Sequence, residues 1–283
     1  MHKSLFTTVE EPQNTLDAIL MALKSPLGIR TVWVIVEGED DVMIYNKMFD
    51  KKISNVKHAS IDDNGSGGYK NVEHIVSEVI NQVKGAKIIG IRDKDYSLLL
   101  NHNFKFPKNI FLTDRRDMEM MVLESDTVSS KLRLWANPLY DKAFNTAKCV
   151  AVFLGYLRIY NHMHHLSCSF HQLKVSKIWN QNEHKINDNW KEYCLHFVSD
   201  EITEDDLMVF ANKHQLLEFS FYDICRGHDF IKYLSLALIK QEYNKNEIFK
   251  MMISSYSVDD FRKTGLYSSI YKWQTSNNVS ILL

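Results

Sequence analysis

Short apolar runs alternate with amphipathic segments in the first half of the chain, and this alternation constrains the fold more than any other feature. Strands are predicted over 32–37, 56–61, 87–92 and 109–113. Helical spacing of apolar residues predicts helices over 40–49 and 71–83, and a further helix over 117–123. Strands that alternate with helices indicate an α/β unit with a mostly parallel, Rossmann-like sheet flanked by helices.

The pattern changes near residue 140, beyond which helical periodicity dominates. The predicted helices of this part cover 150–165, 170–179, 190–198, 204–214, 228–243 and 247–254. We therefore expect an N-terminal arm at 1–30 with a helix over 15–24, an α/β domain at 31–140 and a mainly helical C-terminal domain at 141–283.

Composition limits the classes of partner. Net charge is −1, so the protein is not a general polyanion binder, and contact with nucleic acid needs a local basic surface or bridging metal ions. No apolar run approaches the ~18–20 residues that span a bilayer, which predicts no membrane contact. The polar start of the chain and its four dispersed cysteines predict a cytoplasmic protein with reduced thiols.

Acidic residues follow three of the predicted strands. They are Glu37 and Asp41 after the first strand, Asp93 and Asp95 after the third, and Asp117 and Glu119 after the fourth. Ligands of an open parallel sheet bind at the carboxyl ends of its strands, so these acids are expected to converge. Carboxylates at such density repel one another unless a hard cation lies among them. The pattern predicts a site for Mg²⁺ or Mn²⁺.

Basic side chains near these acids are candidates for phosphate binding. Lys94 lies between Asp93 and Asp95, and Arg115 and Arg116 follow the fourth strand. Any of the three could stabilise charge on a transition-state phosphate. Lys70, after the glycine-rich turn at 64–68, is a further candidate; this turn lacks the Gly-Lys-Ser/Thr ending of a P-loop.

Several of these residues also have a structural interpretation. Asp41 and Asp117 suit the first turn or the cap of a helix, where the helix dipole and free backbone N–H groups favour acids. His228, in Gly227-His228-Asp229, either pairs with Asp229 or a backbone group or reaches an active site. The sequence leaves both alternatives open.

The combined motifs resemble the Toprim fold, which has a glutamate after its first strand and Asp-x-Asp after its third. Val36-Glu37-Gly38 and Arg92-Asp93-Lys94-Asp95 carry this resemblance. The Glu37/Asp41 pair and the later Glu119 are more similar to the OLD-like nuclease branch than to topoisomerases or primases. The motifs lie within residues 31–124, apart from the short stretch near 227.

A narrower resemblance rests on four strings. They are Val-Glu-Gly-Glu-Asp-Asp from 36, Asp-Lys-Asp-Tyr from 93, Thr-Asp-Arg-Arg-Asp-Met-Glu from 113, and Gly-His-Asp from 227. These strings resemble the Toprim-like effector subunits of anti-phage systems that pair with ABC-type ATPases, of which the AriB-type effectors of PARIS are the nearest.

The resemblance implies Mg²⁺-dependent cleavage of phosphodiester bonds in cellular nucleic acid, tRNA included, by a toxic effector that an ATPase partner holds inactive. It implies that Glu37 is a metal ligand or the general base and that Asp93 and Asp95 are ligands. Asp41, Asp117 and Glu119 complete one or two metal sites, and the active form is expected to be a homodimer. No motif distinguishes RNA from DNA as the substrate.

Two other functions are compatible with the same residues. One is a non-catalytic, Toprim-shaped module that only binds or regulates an ATPase. The other is a phospho-acceptor receiver domain, with Asp93 as the acceptor and Thr113 after the fourth strand. A receiver domain also needs a lysine after a fifth strand, and no clear strand of that kind follows Thr113.

Overall fold

A computed structural model of the chain describes residues 12–59, 68–96, 106–238 and 243–283. The chain forms two compact units. The first runs to Asp114 and is completed by Ser257–Leu283, and the second is Arg115–Tyr256. This division differs from the predicted boundary at 140/141, because the chain leaves the first unit directly after its fourth strand and returns to it at the end.

The first unit contains a sheet of four parallel strands in the order β2-β1-β3-β4. The strands are β1 (Val32–Val36), β2 (Ser54–His58), β3 (Ile88–Arg92) and β4 (Ile110–Leu112). Every residue of β1 and β3 is buried. Strands covered on both faces are typical of parallel sheets with helical crossovers, and the predicted α/β class with a parallel sheet is confirmed.

The order of the strands creates a switch point between β1 and β3. Val34 of β1 pairs with Val56 of β2 on one side and with Ile89 of β3 on the other. The chain therefore adds β2 on one side of β1, and then β3 and β4 on the other side. Open α/β sheets bind ligands in the crevice outside the carboxyl ends of the strands at such a point.

Before the second unit, the described residues include helices α1 (Pro12–Ala22), α2 (Pro26–Arg30), α3 (Glu39–Tyr45) and α4 (Gly68–Gln82). The apolar face predicted for α4 is buried, and it packs with residues of α1 in the core of this unit. Its fully buried members are Val72, Ile75, Val76 and Val79. Burial of this stripe, rather than local propensity, supplies most of the stability of such a helix.

Three predicted elements of the first unit differ from the observed ones. The helix expected over 40–49 ends at Tyr45, because Phe49 forms an isolated bridge with Leu282. Strand β2 begins earlier than predicted, and residues 60 and 61 lie outside the described part of the chain. The predicted glycine-rich turn also lies outside it, except for Gly68, which begins α4.

The second unit is mainly helical, as predicted for the later part of the chain. Its helices are α5 (Met118–Leu123), α6 (Asp126–Trp135), α7 (Tyr140–Met163), α8 (Val175–Ile178), α9 (Trp190–Val198), α10 (Glu204–Lys213), α11 (Phe221–Ile224), α12 (Gly227–Leu238) and α13 (Lys245–Ser255). Short 3₁₀ turns cover Phe170–Gln172 and Leu216–Glu218.

The helix predicted over 170–179 is wrong. Trp179–Asn180 forms strand β5, which pairs with β6 (Lys185–Ile186) in an antiparallel hairpin. Pairing with a neighbouring strand has overridden the local helical pattern here. The long helix α7 begins at Tyr140, well before the predicted start at 150.

The chain returns to the first unit with α14 (Val258–Arg262) and α15 (Gly265–Ser276). Phe261 packs edge-on against Tyr45 and Phe49, with ring centroids 6.2 and 6.4 Å away. These aromatic contacts join the returning segment to the core of this unit. Within the described residues, no helix combines the length and the apolar character needed to cross a bilayer.

Candidate active site

Glu37 and Asp93 lie together at the switch point of the sheet. Glu37 is the first residue after β1 and Asp93 the first after β3. The backbone N–H of Asp93 donates a hydrogen bond to Oε1 of Glu37 at 2.8 Å. The two motifs that carry the resemblance, from distant parts of the sequence, therefore meet at one point.

The first turn of α4 is also close to Glu37. A Cβ atom on Gly68 would lie 2.6 Å from Oε2 of Glu37, which is closer than any real contact of this type. A glycine at this position lets the helix begin beside the carboxylate. The first turn of a helix carries free N–H groups and partial positive charge, which favours a negative group there.

Asp95 does not continue the extended backbone of β3. Its φ of 46° lies in the left-handed region, so Asp93 and Asp95 are not alternate residues of a straight strand. Aspartate tolerates this region better than most residues, and the conformation still stores on the order of 1 kcal/mol. Asp95 nevertheless lies near enough to Glu37 to influence its charge.

Burial raises the pKa of Glu37 from its usual 4.5 to about 8, and the negative charges of Asp95 and Asp41 act in the same direction. The hydrogen bond from Asp93 and the positive charge of Arg92 oppose this shift. Asp41 itself accepts a hydrogen bond from the N–H of Gly38 at 2.9 Å, in the first turn of α3. When no metal ion is bound, Glu37 holds a proton at neutral pH.

These carboxylates suit a hard cation, because their mutual repulsion is relieved by positive charge and their oxygens are the ligands that Mg²⁺ prefers. Among the described residues, no group of three or more His, Cys, Asp or Glu side chains is arranged to hold a metal ion. Magnesium is usually held by only one or two carboxylates, together with water and substrate phosphate. Glu37 with Asp93 or Asp95 fits a site of that kind.

Lys94 is directed toward the end of β4. Its backbone N–H donates to Oγ1 of Thr113 at 3.0 Å, and its ammonium group donates to the carbonyl of Asp114 at 3.3 Å. It thus ties the loop after β3 to the loop after β4. Its predicted contact with phosphate stays a prediction, as does that of the exposed Lys70 near the start of α4.

Two residues near this site were not predicted. Arg92 is buried, forms an ion pair with Glu73 at 2.5 Å and lies over the ring of Tyr69 at 4.0 Å. Its positive charge lowers the pKa of Glu37. Its position at the end of an apolar strand, with Glu73 and Tyr69 on the preceding helix α4, was the available signal.

Asp114 is the second unpredicted residue. Its carboxylate accepts hydrogen bonds from the N–H groups of Gly265 and Leu266 at 2.6 and 2.7 Å. These are the first two residues of α15, so Asp114 holds the returning segment at the end of β4. The partners are about 150 positions away in sequence, and no local pattern indicates the pairing.

A second acidic group belongs to the second unit. Asp117 caps α5: Oδ1 accepts from the N–H of Met120 at 3.0 Å, and Oδ2 accepts from the N–H of Gly227 at 2.8 Å. Burial raises the pKa of Asp117 from 3.8 to about 7, and the charge of Glu119 adds to this, whereas Arg116 opposes it. The alternative of a helix cap is therefore the observed one for Asp117.

Glu119 pairs with His228 in the same unit. Nε2 of His228 lies 3.2 Å from Oε1 of Glu119, and the two side chains are 39% and 8% exposed. The neighbouring Asp229 forms an ion pair with Arg158 at 2.8 Å. The metal-binding roles predicted for Asp117 and Glu119 stay predictions, and each carboxylate has a partner within its own unit.

The predicted phosphate contacts of Arg115 and Arg116 stay predictions, and both guanidinium groups have partners within the second unit. Arg115 pairs with Glu124 and, at 2.9 Å, with Asp223. Arg116 is 5% exposed, and its guanidinium group donates to the carbonyl of Ile224 at 3.0 Å. Both arginines are thus engaged inside the second unit, where they compensate buried or partly buried acceptors.

No protein-family model matches this chain, and no curated protein is significantly similar to it. The resemblance to Toprim nucleases therefore stays a prediction. The parallel sheet and the junction of Glu37 with Asp93 are the structural observations on which any functional proposal rests.

Proposed function

We propose that this protein is a metal-dependent nuclease whose acidic centre consists of Glu37, Asp93 and Asp95. The observation that carries the proposal is the 2.8 Å hydrogen bond between Glu37 and Asp93 at the switch point of the sheet. This point is where open α/β sheets bind their ligands. Clustered acids with perturbed pKa values at such a point favour a functional site over a solvated surface.

The residues divide the chemistry in a simple way. When bound, Mg²⁺ or Mn²⁺ supplies positive charge that neutralises phosphate and lowers the pKa of water and of nearby carboxyl groups. Asp93 and Asp95 hold this charge, and Glu37 accepts the proton of the attacking water at Oε2. A base whose pKa is close to neutral is efficient in both accepting and releasing a proton.

The family resemblance extends the proposal to biology. The substrate is cellular nucleic acid such as tRNA, the partner is an ABC-type ATPase, and cleavage is toxic during anti-phage defence. The four strings named above support this extension. The receiver-domain alternative loses support, because the described residues contribute four strands to the sheet and none follows β4 in it.

The proposal is tested by Glu37→Gln, which keeps the shape of the side chain and removes its charge. Purified protein is incubated with labelled tRNA, single-stranded RNA and DNA in Mg²⁺ or Mn²⁺, with an EDTA series in parallel. We expect cleavage by the wild type and at least a ~100-fold slower rate for the variant, the range typical of a lost general base.

Glu39→Gln is the matched control, because Glu39 is an exposed acid only two positions away. It should cleave like the wild type. Equal cleavage by the wild type and Glu37→Gln would overturn the catalytic assignment. Loss of ATPase binding in Glu37→Gln, with no cleavage by the wild type under any condition, would instead favour the non-catalytic module.

A further inference from the structure

Two tyrosines of helix α15, Tyr267 and Tyr271, form with Phe261 a row of aromatic rings that runs from the core to solvent, here called the aromatic ladder. Tyr267 and Tyr271 stack with ring centroids 6.1 Å apart and an angle of 20° between the rings. Tyr267 also meets the buried Phe261 edge-on at 5.7 Å. Tyr271, the outermost ring, is 52% exposed. The core thus holds Tyr267, and Tyr267 in turn supports a ring that solvent can reach.

The chain around this ladder is free of acids. From Arg262 to Leu283 it has three basic side chains, Arg262, Lys263 and Lys272, and no aspartate or glutamate. Arg262 pairs with Asp259, whereas Lys263 and Lys272 are exposed. The whole chain has a net charge of −1, whereas this segment contains basic and no acidic side chains, two of them exposed lysines.

The same helix is connected to the candidate active site. Asp114 accepts hydrogen bonds from the N–H groups at the start of α15, and its carbonyl accepts one from the ammonium group of Lys94. Lys94 lies between Asp93 and Asp95 in sequence. One residue thus joins the start of the helix to the loop of acids, entirely within the first unit.

We propose that α15 binds unpaired nucleobases, with a base stacked on Tyr271 and the adjacent Lys272 in contact with the phosphate backbone. Stacking on aromatic rings combined with basic side chains is how proteins hold single strands, whereas the bases of a duplex are already stacked on one another. The inference rests on the proposed nuclease function and narrows its substrate to single-stranded segments or loops.

Binding is measured with the full-length protein in the Glu37→Gln background, so that no probe is cleaved. The probes are a short unstructured RNA, the DNA of the same sequence and the corresponding duplex, all labelled for fluorescence anisotropy. Tyr271→Ala should weaken binding to the single strands about five- to a hundredfold, the range for loss of one base stack. Tyr271→Phe should bind like the parent protein, because it keeps the ring.

A second pair of variants tests the charge. Lys272→Glu should weaken binding and reduce its salt dependence, because one phosphate contact is lost. Lys24→Glu, a reversal at an exposed lysine between α1 and α2, should leave the affinity unchanged. Binding to RNA or DNA single strands with this pattern supports the proposal.

Three results would overturn it: unchanged affinity of Tyr271→Ala, loss of binding in Tyr271→Phe equal to that in Tyr271→Ala, or tighter binding of the duplex. A Tyr271→Ala variant that loses only a protein partner would also overturn it. The readout is independent of cleavage. If the wild type cleaves but Tyr271→Ala binds as tightly as the parent protein, only the proposed binding surface is refuted. If binding depends on Tyr271 but the wild type never cleaves, only the proposed nuclease function is refuted.

Discussion

The two acidic groups of this protein look alike in sequence and differ in their hydrogen bonds. Glu37 and Asp117 both follow apolar strands, and burial raises the pKa of each, to about 8 and about 7. Both oxygens of Asp117 accept hydrogen bonds from backbone N–H groups. Glu37 accepts one hydrogen bond, from the N–H of Asp93, and the negative charges of Asp95 and Asp41 disfavour its ionised form.

This difference agrees with a structural role for Asp117 and with the catalytic role that we propose for Glu37. Asp117 has the partners of a cap, so its carboxylate stabilises the chain as it stands. Glu37 is left in an unfavourable electrostatic environment that a cation would improve. Burial and a raised pKa alone therefore do not identify a catalytic acid. The hydrogen-bond partners of the carboxylate oxygens must be considered as well.

Two glycines next to these acids give the largest expected contrast. A Cβ on Gly227 would lie 2.4 Å from Cβ of Glu119 and 2.8 Å from Oδ1 of Asp117. Gly227→Ala should therefore lower the free energy of unfolding by about 3 kcal/mol through overpacking. Urea unfolding followed by circular dichroism measures this.

Gly68→Ala is the matched substitution in the first unit. Its Cβ would meet only the flexible end of Glu37, which can move aside. We expect a loss of less than about 1 kcal/mol in stability, and a ~100-fold loss of cleavage because the base is displaced. The comparison fails if Gly68→Ala cleaves normally, or if it unfolds as easily as Gly227→Ala.

Asp117→Ala should lower the free energy of unfolding by about 2 kcal/mol, because α5 loses its cap and the buried N–H of Gly227 loses its acceptor. Glu37→Gln should cost much less, since a neutral amide replaces a carboxyl group that already holds a proton at neutral pH. Thermal and urea unfolding of the two variants side by side test this order. A more stable Asp117→Ala protein would contradict the structural role.

The fold of the first unit follows from its sequence because the decisive signals are local. Apolar runs bounded by polar residues mark β1, β3 and β4, and the stripe Val72, Ile75, Val76 and Val79 marks α4. Strand β2 is largely polar, and its start was not predicted. The domain division could not be predicted in the same way. It depends on the pairing of Asp114 with the first residues of α15 and on the packing of Phe261, which are contacts between distant segments.

The candidate active site shows the same contrast between features that local sequence predicts and features that depend on distant contacts. Glu37 and Asp93 could be predicted, because parallel strands bring their carboxyl ends to one edge of the sheet. The surroundings could not: Arg115 and Arg116 look free in sequence, yet Glu124, Asp223 and the carbonyl of Ile224 engage them. Which charges remain unpaired is decided by side-chain packing that no spacing rule describes.

A smaller difference between the acids of the two units is expected in metal binding. Asp95→Asn should weaken Mg²⁺ or Mn²⁺ binding about tenfold, because a neutral amide oxygen is a poorer ligand for a hard cation. Glu124→Gln, in the second unit, is the control and should bind metal like the wild type. Isothermal titration calorimetry on EDTA-treated protein measures both, and equal affinities for Asp95→Asn and the wild type would refute the ligand assignment.

The smallest expected effect is the pH dependence of stability without metal. The pKa of Glu37 is about 8 in the folded protein against its usual 4.5, so the folded state binds the extra proton between these values. Stability must then fall as the pH rises through this window, by at most ~1.4 kcal/mol per pH unit. Urea unfolding in EDTA at pH 5, 6, 7 and 8 measures the slope. Because the pKa of Asp117 is about 7, its own titration adds a smaller part of the decline between pH 7 and 8. Glu37→Gln should therefore show a clearly shallower decline in that last interval, and an unchanged slope in the variant would show that another group accounts for it.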